Sequence, residues 1–437
     1  MPLFLEYCDS EFNKKLDKYL EELENGVSST SVEVKKILLE IKKNRDEALK
    51  KFSILYDNFD FSKKNIYFND EEFENAIKRV SKKEKEDLDF ASKRIFEYHK
   101  LQKPKEKKWK DAFGVELGWK WNSLESVGIY VPGGTASYPS SVLMNAIPAK
   151  VAGVKNIYMA SPTPNGDYNP LILYAAKIAG VKKVFKIGGA QAVGAFAYGT
   201  ETIPKVNKIV GPGNSFVAEA KKQVFGNVGI DMIAGPSEIL IIADENVDPK
   251  WIAIDLLSQA EHDINAKCVL ITDSKKVILE VKKELSKILK TLKRKKIANQ
   301  SWEKNGAIIL VKNLDQAIEI TNLIAPEHLE LCIKNSEKFL KKICNAGSVF
   351  CGNWTPEAIG DYVGGPNHVL PTSKSSKYSS GLSVLDFLKR TSILRLDKNS
   401  LNSIGPYAEI IAKSEGLEAH ARSISMRMDF INSKTKK

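Results

Sequence analysis

Histidine is scarce in this chain, with five residues among 437, and cysteine is no more common. The five cysteines (8, 268, 332, 344 and 351) include no C-x-x-C pair and their count is odd. That argues against a disulfide framework or a zinc ribbon, and the thiols read as the reduced, buried cysteines of a cytoplasmic protein. No stretch approaches the roughly 18 apolar residues of a membrane span. The N-terminal MPLFLEYCDSEFNKKLDKYL lacks the basic segment and apolar run of a secretory signal. Internal repeats are missing, which excludes solenoids and propellers. Neither G-x-G-x-x-G nor a phosphate-binding P-loop occurs, so the common nucleotide fingerprints are absent.

What is present describes a soluble globular protein: 43% hydrophobic and 27% charged residues, in a chain long enough for two or three domains. The net charge of +12 raises the question of nucleic acid. The lysines, however, are dispersed along amphipathic helices. In 275–296, Val277, Val281, Leu285, Ile288 and Leu292 form one stripe and lysines the other face. Only 100–110, KLQKPKEKKWK, resembles a basic patch, and its proline suits an exposed connection. No nucleic-acid or membrane partner is expected.

Residues 10–110 carry helical periodicity, with helix-capping candidates in the Ser/Thr cluster at 28–31. From about residue 126 short β-rich runs alternate with helix-length intervals: SVGIYVPGG, NIYMASPT, KKVFKIGGA, KIVGPGN, SEILIIAD, KCVLITDS, GAIILV and GSVFCG. Such alternation predicts βαβ units and parallel sheets. The number of strands suggests two sheets, with the break near 232–238 at Gly235-Pro236. The Gly-, Pro- and Ser-rich stretch 365–383 reads as a linker to a helical tail that is too short to stand alone.

Four of the five histidines fall in polar clusters near carboxylates or carboxamides, and imidazole is both the side chain that titrates near neutrality and a common metal ligand. Gln259 and His262, three apart in a helical segment, are placed on one face and offer two ligands to a divalent ion; a surface pair is the plain alternative. Asp361, before Gly364-Gly365-Pro366, and His420 can complete a tetrad. Glu415, after Ser414, also suits a helix first turn. Glu327-His328 follows Ala325-Pro326, which favours extended chain and lets the two side chains divide base and water-activating roles. The loops 128–134, 188–199 and 211–216 each follow a strand and can open a helix, an arrangement suited to phosphate, although each glycine can equally serve a tight turn.

In order along the chain, GIYVPGGTASYPSSVLMNAIPAKVAGV (128–154), GGAQAVGAFAYGTE (188–201), VNKIVGPGNSFVAEAKKQVFG (206–226), DMIAGPSEILIIAD (231–244), DLLSQAEHD (255–263), NLIAPEHLEL (322–331), GSVFCGNWTPEAIGDYVGGPNHVLPT (347–372) and EGLEAHARSISMR (415–427) resemble the histidinol dehydrogenases. The resemblance implies an α/β fold of two incomplete Rossmann-like domains with parallel sheets, a helical N-terminal region and a helical C-terminal tail. Its implied boundaries are a helical arm at 1–25, a first domain from 26–129 and 237–382 carrying zinc and catalytic residues, an NAD-binding domain at 130–236, and a dimer-contacting tail at 383–437. It implies four-electron oxidation of L-histidinol to L-histidine, the end of histidine biosynthesis, with one zinc per subunit and NAD. Zinc would be held by Gln259, His262, Asp361 and His420; Glu327 and His328 would be the acid–base pair. Ser237, Gln259, His262, His328, Asp361, Glu415 and His420 would contact substrate, and Tyr130, Gln191 and Asn214 the NAD. A cytoplasmic homodimer is implied, its tail completing the partner's site. The other readings are a related zinc and NAD dehydrogenase for another small alcohol, and a non-catalytic nucleotide- or nucleic-acid-binding protein. Glu415 and His420 count against the first, dispersed lysines against the second.

Overall fold

The computed structural model describes residues 2–24, 30–61, 65–133 and 138–435. Ser28 and Ser29 of the capping cluster and Gly134 of the first glycine loop lie outside these residues; Thr30 occupies the cap position of the helix that follows. The fold is α/β. No helix among the described residues is long and apolar enough to cross a membrane.

The larger unit contains two all-parallel sheets. The six-stranded sheet runs Leu3–Glu6, Gly306–Leu310, Lys267–Thr272, Glu238–Ala243, His328–Cys332 and Ser348–Cys351 in spatial order. Its central strands are buried along their whole length because both faces are covered. The pleat sorts Ile239, Ile241 and Ala243 into one core and Leu240 and Ile242 into the other. The first residues are more than the expected helical arm. Leu3–Glu6 is an edge strand paired with Gly306–Leu310, and Phe12, Leu16, Tyr19 and Leu23 of the following helix share the core behind it. Four residues are too few for a periodicity to show, so this strand left no signal.

The five-stranded sheet has the order Lys183–Phe185, Asn156–Ala160, Ser126–Tyr130, Lys208–Val210 and Gly229–Ile230. The chain changes sheet between Ile230 and Glu238. Ser126–Tyr130 is the central strand of the five-stranded sheet, and helix Ser31–Asp57, interrupted at Arg45, packs on helices Gly189–Tyr198 and Ser215–Val224 and shares their core with that sheet. Val34, Ile37, Leu38 and Ile41 share a core with Phe185 and Phe196. The close fit needs Gly194, where an added Cβ would lie 3.1 Å from Leu38. Helix Asp70–Lys78 and helix Lys82–Lys100 open with capping boxes, Asn69 with Glu72 and Ser81 with Glu84.

The smaller unit comprises residues 103–123 and the chain from 388 onward. It holds an antiparallel sheet in the order Leu388–Arg395, Glu116–Ser123, Lys107–Lys110, followed by helices Lys398–Ser414 and Glu418–Thr435. The expected helical tail is present, preceded by the strand Leu388–Arg395, and the exposed stretch 100–110 carries the strand Lys107–Lys110. Each supplies a strand whose alternating, mostly exposed residues (KKWK and LKRTSILR) lack the apolar run that marks a buried strand.

Phe196 is fully buried between helix and sheet. Phe196→Ala is expected to cost about 3–5 kcal/mol and to lower the urea midpoint clearly; an unchanged midpoint would show that this contact does not carry the helix.

Candidate active site

The Glu327-His328 pair is delivered by a forced turn. Helix Leu314–Ile324 ends at Ala325, which adopts φ 52°, ψ 61°, a left-handed conformation that is unfavourable for alanine. The turn drives Pro326-Glu327 into the sheet, and His328 becomes the first residue of its strand, in register with Ile239. Both side chains are buried, at 5% exposure. Glu238 on the neighbouring strand holds them together: its N–H donates to Glu327 Oε2 at 2.8 Å, and its carbonyl accepts from His328 Nδ1 at 2.9 Å. A carbonyl only accepts, so the ring carries its proton on Nδ1 and presents a bare Nε2. Nε2 is buried and has no hydrogen-bond partner; Glu357 Oε1 lies 3.6 Å away, beyond a good hydrogen bond.

Acidic groups surround that nitrogen. Glu357 and Asp361 stand four apart in the short helix Glu357–Tyr362, and His328, Glu357 and Asp361 bring potential ligand atoms within 4.8 Å of one another. Behind them Glu330 Oε1 accepts the Glu357 N–H at 2.6 Å. Burial pushes Glu357 up to about 9, with help from Asp361 and Glu330, and pushes Glu330 up to about 8, with help from Asp255. Glu327 is raised well above the usual carboxyl range, chiefly by burial and further by Glu238 and Asp361. Burial lowers His328 to about 4, against the opposing pull of Asp361. Asp361 goes the other way. Burial raises it, but the hydrogen bond and charge of His368, then His328 and His262, outweigh burial and bring it to about 2.

Gln259 is 2% exposed and its Oε1 has no hydrogen-bond partner. A buried amide oxygen left bare is costly, and a cation would satisfy it. Helix Pro249–Ala260 ends just after Gln259, and His262 lies in the turn beyond, its N–H on the Gln259 carbonyl at 3.1 Å. The two residues thus meet through a turn rather than along one helix face. The His262 imidazole is near enough to Asp361 and His328 to shift both. Amide oxygen, imidazole and carboxylate form a mixed N/O donor set that suits zinc, Gln being the unusual member. The residues present fit a metal ion.

The glycine loops gather at the carboxyl ends of the five-stranded sheet, where parallel sheets bind ligands. Tyr130 ends its strand, buried, and its hydroxyl accepts the Gly189 N–H at 3.1 Å. The Asp57 carboxylate accepts the Gly188 N–H, and burial pushes that group up to about 6. Two of the N–H groups at the start of helix Gly189–Tyr198 are therefore occupied by side chains of the fold itself. Gln191 is buried in the same helix. Asn214 caps helix Ser215–Val224, its Oδ1 accepting the Val217 N–H. Gly211, at φ 114°, packs so closely on Tyr130 that a Cβ would come 2.1 Å from its carbonyl oxygen. Its N–H and carbonyl are held by Asp231 at 2.8 Å and the buried Lys221 at 2.9 Å. These converging backbones leave a cradle that suits a dinucleotide.

A family profile described as histidinol dehydrogenase matches residues 21–428. The histidinol dehydrogenase of Ruegeria pomeroyi is 50% identical over 432 residues, 99% of this chain and 100% of the relative. That of Cereibacter sphaeroides is 49% identical with the same coverage. The crystal structure of the Elizabethkingia anophelis histidinol dehydrogenase superimposes with a TM-score of 0.93 at 36% identity, covering 99% of both chains. The chain belongs to the histidinol dehydrogenase family.

Seen within that family, Glu327, His328 and Asp361 converge, and the His262 charge reaches Asp361. Ser237 immediately precedes Glu238 and accepts the Lys267 N–H at 2.9 Å through its carbonyl. Glu415 and His420 belong to the smaller unit, where both are exposed, Glu415 at the end of helix Lys398–Ser414 and His420 in helix Glu418–Thr435. Sequence reasoning missed Glu357, Glu238 and Glu330. The i,i+4 spacing of Glu357 to Asp361 was a usable signal; Glu238 and Glu330 sit in apolar strands where nothing local marks them. His368 bonds Asp361 through Nδ1 at 3.1 Å to the carbonyl and 3.3 Å to the carboxylate. His99 is buried, with Nδ1 on the Ile95 carbonyl at 2.8 Å and Nε2 facing the Asn367 amide at 3.3 Å, a structural role.

In chelator-treated protein Glu330 and Glu357 keep protons up to about 8 and about 9, whereas an unfolded glutamate loses its proton near about 4.3. The folded form then binds more protons than the unfolded one, so this contribution is complete at acid pH and is lost as pH rises towards about 9. His328 acts oppositely. Its value drops from 6.5 to about 4, so its contribution is present above 6.5 and is lost as pH falls towards 4. Melting temperature is therefore expected to fall as pH rises from 6.5 to about 8, and Glu330→Gln to flatten that fall. An unchanged slope would remove Glu330 as its source.

Proposed function

We propose that the chain is a zinc- and NAD-dependent histidinol dehydrogenase, oxidising L-histidinol through a bound aldehyde to L-histidine as the end of histidine biosynthesis, in the cytoplasm and as a homodimer. The observation that carries this reading is the bare, buried Nε2 of His328 facing a carboxyl cluster, with Gln259 Oε1 likewise buried and bare. Gln259, His262, Asp361 and His420 would hold the metal, with Ser237 and Glu415 joining them and His328 against the substrate. A bound zinc ion supplies positive charge that anchors the amino and imidazole nitrogens of histidinol and eases ionisation of nearby carboxyls. Anchoring is preferred to polarisation of the alcohol because the substrate offers two good nitrogen ligands. Tyr130, Gln191 and Asn214 would hold NAD, which supplies the hydride acceptor for both oxidations.

His328 is neutral at pH 7, since burial lowers it to about 4. With Nδ1 committed to Glu238, its Nε2 accepts the alcohol proton as the carbinol C–H leaves as hydride. Glu327, once ionised, takes a proton from the water that adds to the aldehyde, while the protonated His328 returns its proton to the aldehyde oxygen, so that the hydrate forms and His328 is neutral again. His328 then accepts a hydroxyl proton of the hydrate during the second oxidation, and the carboxylate results. The reading of a shared site draws support from helix Lys398–Ser414, which exposes Tyr407, Ile410 and Ile411 on one stripe. Such a face calls for a partner surface, here a second copy of the chain.

Glu327→Gln is expected to retain the first oxidation and release aldehyde while producing histidine at least about 100-fold more slowly, measured by aldehyde trapping beside NADH formation; full two-step turnover removes Glu327 from the hydration step. Elemental analysis of Gln259→Ala and His420→Ala should show zinc falling well below one per chain, and undiminished zinc sinks the ligand assignment. Mixing inactive His328 and His420 variants should restore activity if sites are shared; confirmed mixed dimers without activity argue against a tail that crosses between subunits.

A further inference from the structure

Lys221 and Asp231 form an ion pair whose side chains are only 2% and 1% exposed. Lysine and aspartate are rarely buried so deeply, even in pairs. Taking both charges out of water costs much of what their attraction returns, and apolar residues of similar size commonly serve a fold as well or better. Stability alone therefore does not explain the pair. What the two charges hold does. Lys221 Nζ donates to the Gly211 carbonyl at 2.9 Å, and Asp231 Oδ2 accepts the Gly211 N–H at 2.8 Å. Both backbone groups of one residue are gripped by opposite charges, and charge-assisted hydrogen bonds fix direction as well as distance.

Gly211 is a residue whose orientation matters. Its φ of 114° lies where only glycine is at ease, and a Cβ there would strike the Tyr130 carbonyl oxygen. The same loop ends at Asn214, the cap of helix Ser215–Val224, and Lys221 reaches back to the loop from the second turn of that helix. Asp231 follows the edge strand Gly229–Ile230, and its own N–H donates to the Ile209 carbonyl at 3.2 Å, in the strand that leads into Gly211. Loop, helix and edge strand are thus closed into one ring by two charges. Asp231 is also where the chain leaves this sheet for the strand that begins at Glu238. We propose that Lys221 and Asp231 are positioning residues for the dinucleotide: without touching it, they set the Gly211 peptide and so hold Tyr130 and Asn214 at the spacing that binding needs. The assignment rests on the dinucleotide reading above and adds what keeps the cradle in shape.

Calorimetric titration of the full chain with NAD, beside thermal melting, separates this role from one in the fold. Combining Lys221→Met with Asp231→Leu strands no charge, so the melting temperature should stay within about 5 °C of the unmodified protein or rise. NAD should nevertheless bind about tenfold or more weakly, the value of a charged hydrogen bond. Combining Lys221→Met with Asp231→Asn keeps an acceptor for the Gly211 N–H and should recover part of that loss. Unweakened NAD binding in the first double variant overturns the assignment, and so does a melting temperature that falls far below the stated range, which would make the pair a device of the fold. Should the first double variant not fold, the second decides on the same two readouts. If the unmodified chain binds no NAD, the dinucleotide reading itself falls. If it binds NAD and neither variant weakens it, only the Lys221–Asp231 assignment falls.

Discussion

The site depends on a pair of hydrogen bonds from one backbone unit. Glu238 gives its N–H to Glu327 and its carbonyl to His328, fixing two adjacent side chains from the neighbouring strand. Adjacent residues in an extended chain point apart, so only a bent entry such as the one forced by Ala325 lets both meet the same neighbour. The parallel register of His328 with Ile239 then makes the sheet itself the gauge of the imidazole position. Glu238 is in turn anchored by Lys267 at 3.1 Å and by the Ser373 N–H at 3.2 Å. A one-residue slip of either strand would point His328 to the opposite face and empty the site.

Desolvation explains why so many carboxyls collect there. Glu327, Glu330 and Glu357 are each at most 5% exposed, and mutual repulsion adds to burial in holding them protonated. Asp361 alone stays ionised because imidazoles surround it. An arrangement of this kind is poised for a cation: without one, charge is kept low by bound protons, and with one the same carboxyls can ionise at neutral pH. The bare Gln259 oxygen marks where such an ion would find its neutral ligand.

Much of this was legible because chemistry concentrates in short polar segments. Glu327-His328, Asp361 and Gln259 with His262 stand out from apolar surroundings, and alternating β-rich runs with helix-length gaps give two parallel sheets. What escaped did so for identifiable reasons. Glu238 and Glu330 lie inside strands whose hydrophobicity masks a single acid, and their partners are far away in sequence. Helix Ser31–Asp57 reads as amphipathic wherever it packs, so its apolar stripe did not say which sheet it joins; Gly194 and Phe196 decide that. The strands Leu388–Arg395 and Lys107–Lys110 pair with Glu116–Ser123 through backbone, and their exposed side chains carry no burial pattern to read.

The link between the His328–Asp361 cluster and the five-stranded sheet is polar and runs through Asn367 and His368. His368 donates from Nδ1 to Asp361, which leaves Nε2 as an acceptor for the Ser141 hydroxyl, 3.4 Å away in helix Pro139–Ala152. One residue earlier, the Asn367 amide donates to the Met144 carbonyl at 2.6 Å in the same helix. That helix follows the loop after Tyr130, so the residues that orient Asp361 also brace the entrance to the cradle. Apolar packing would press these parts together without fixing direction, whereas paired donors and acceptors fix both distance and tautomer. His368 thus acts by setting the orientation of Asp361 relative to the five-stranded sheet.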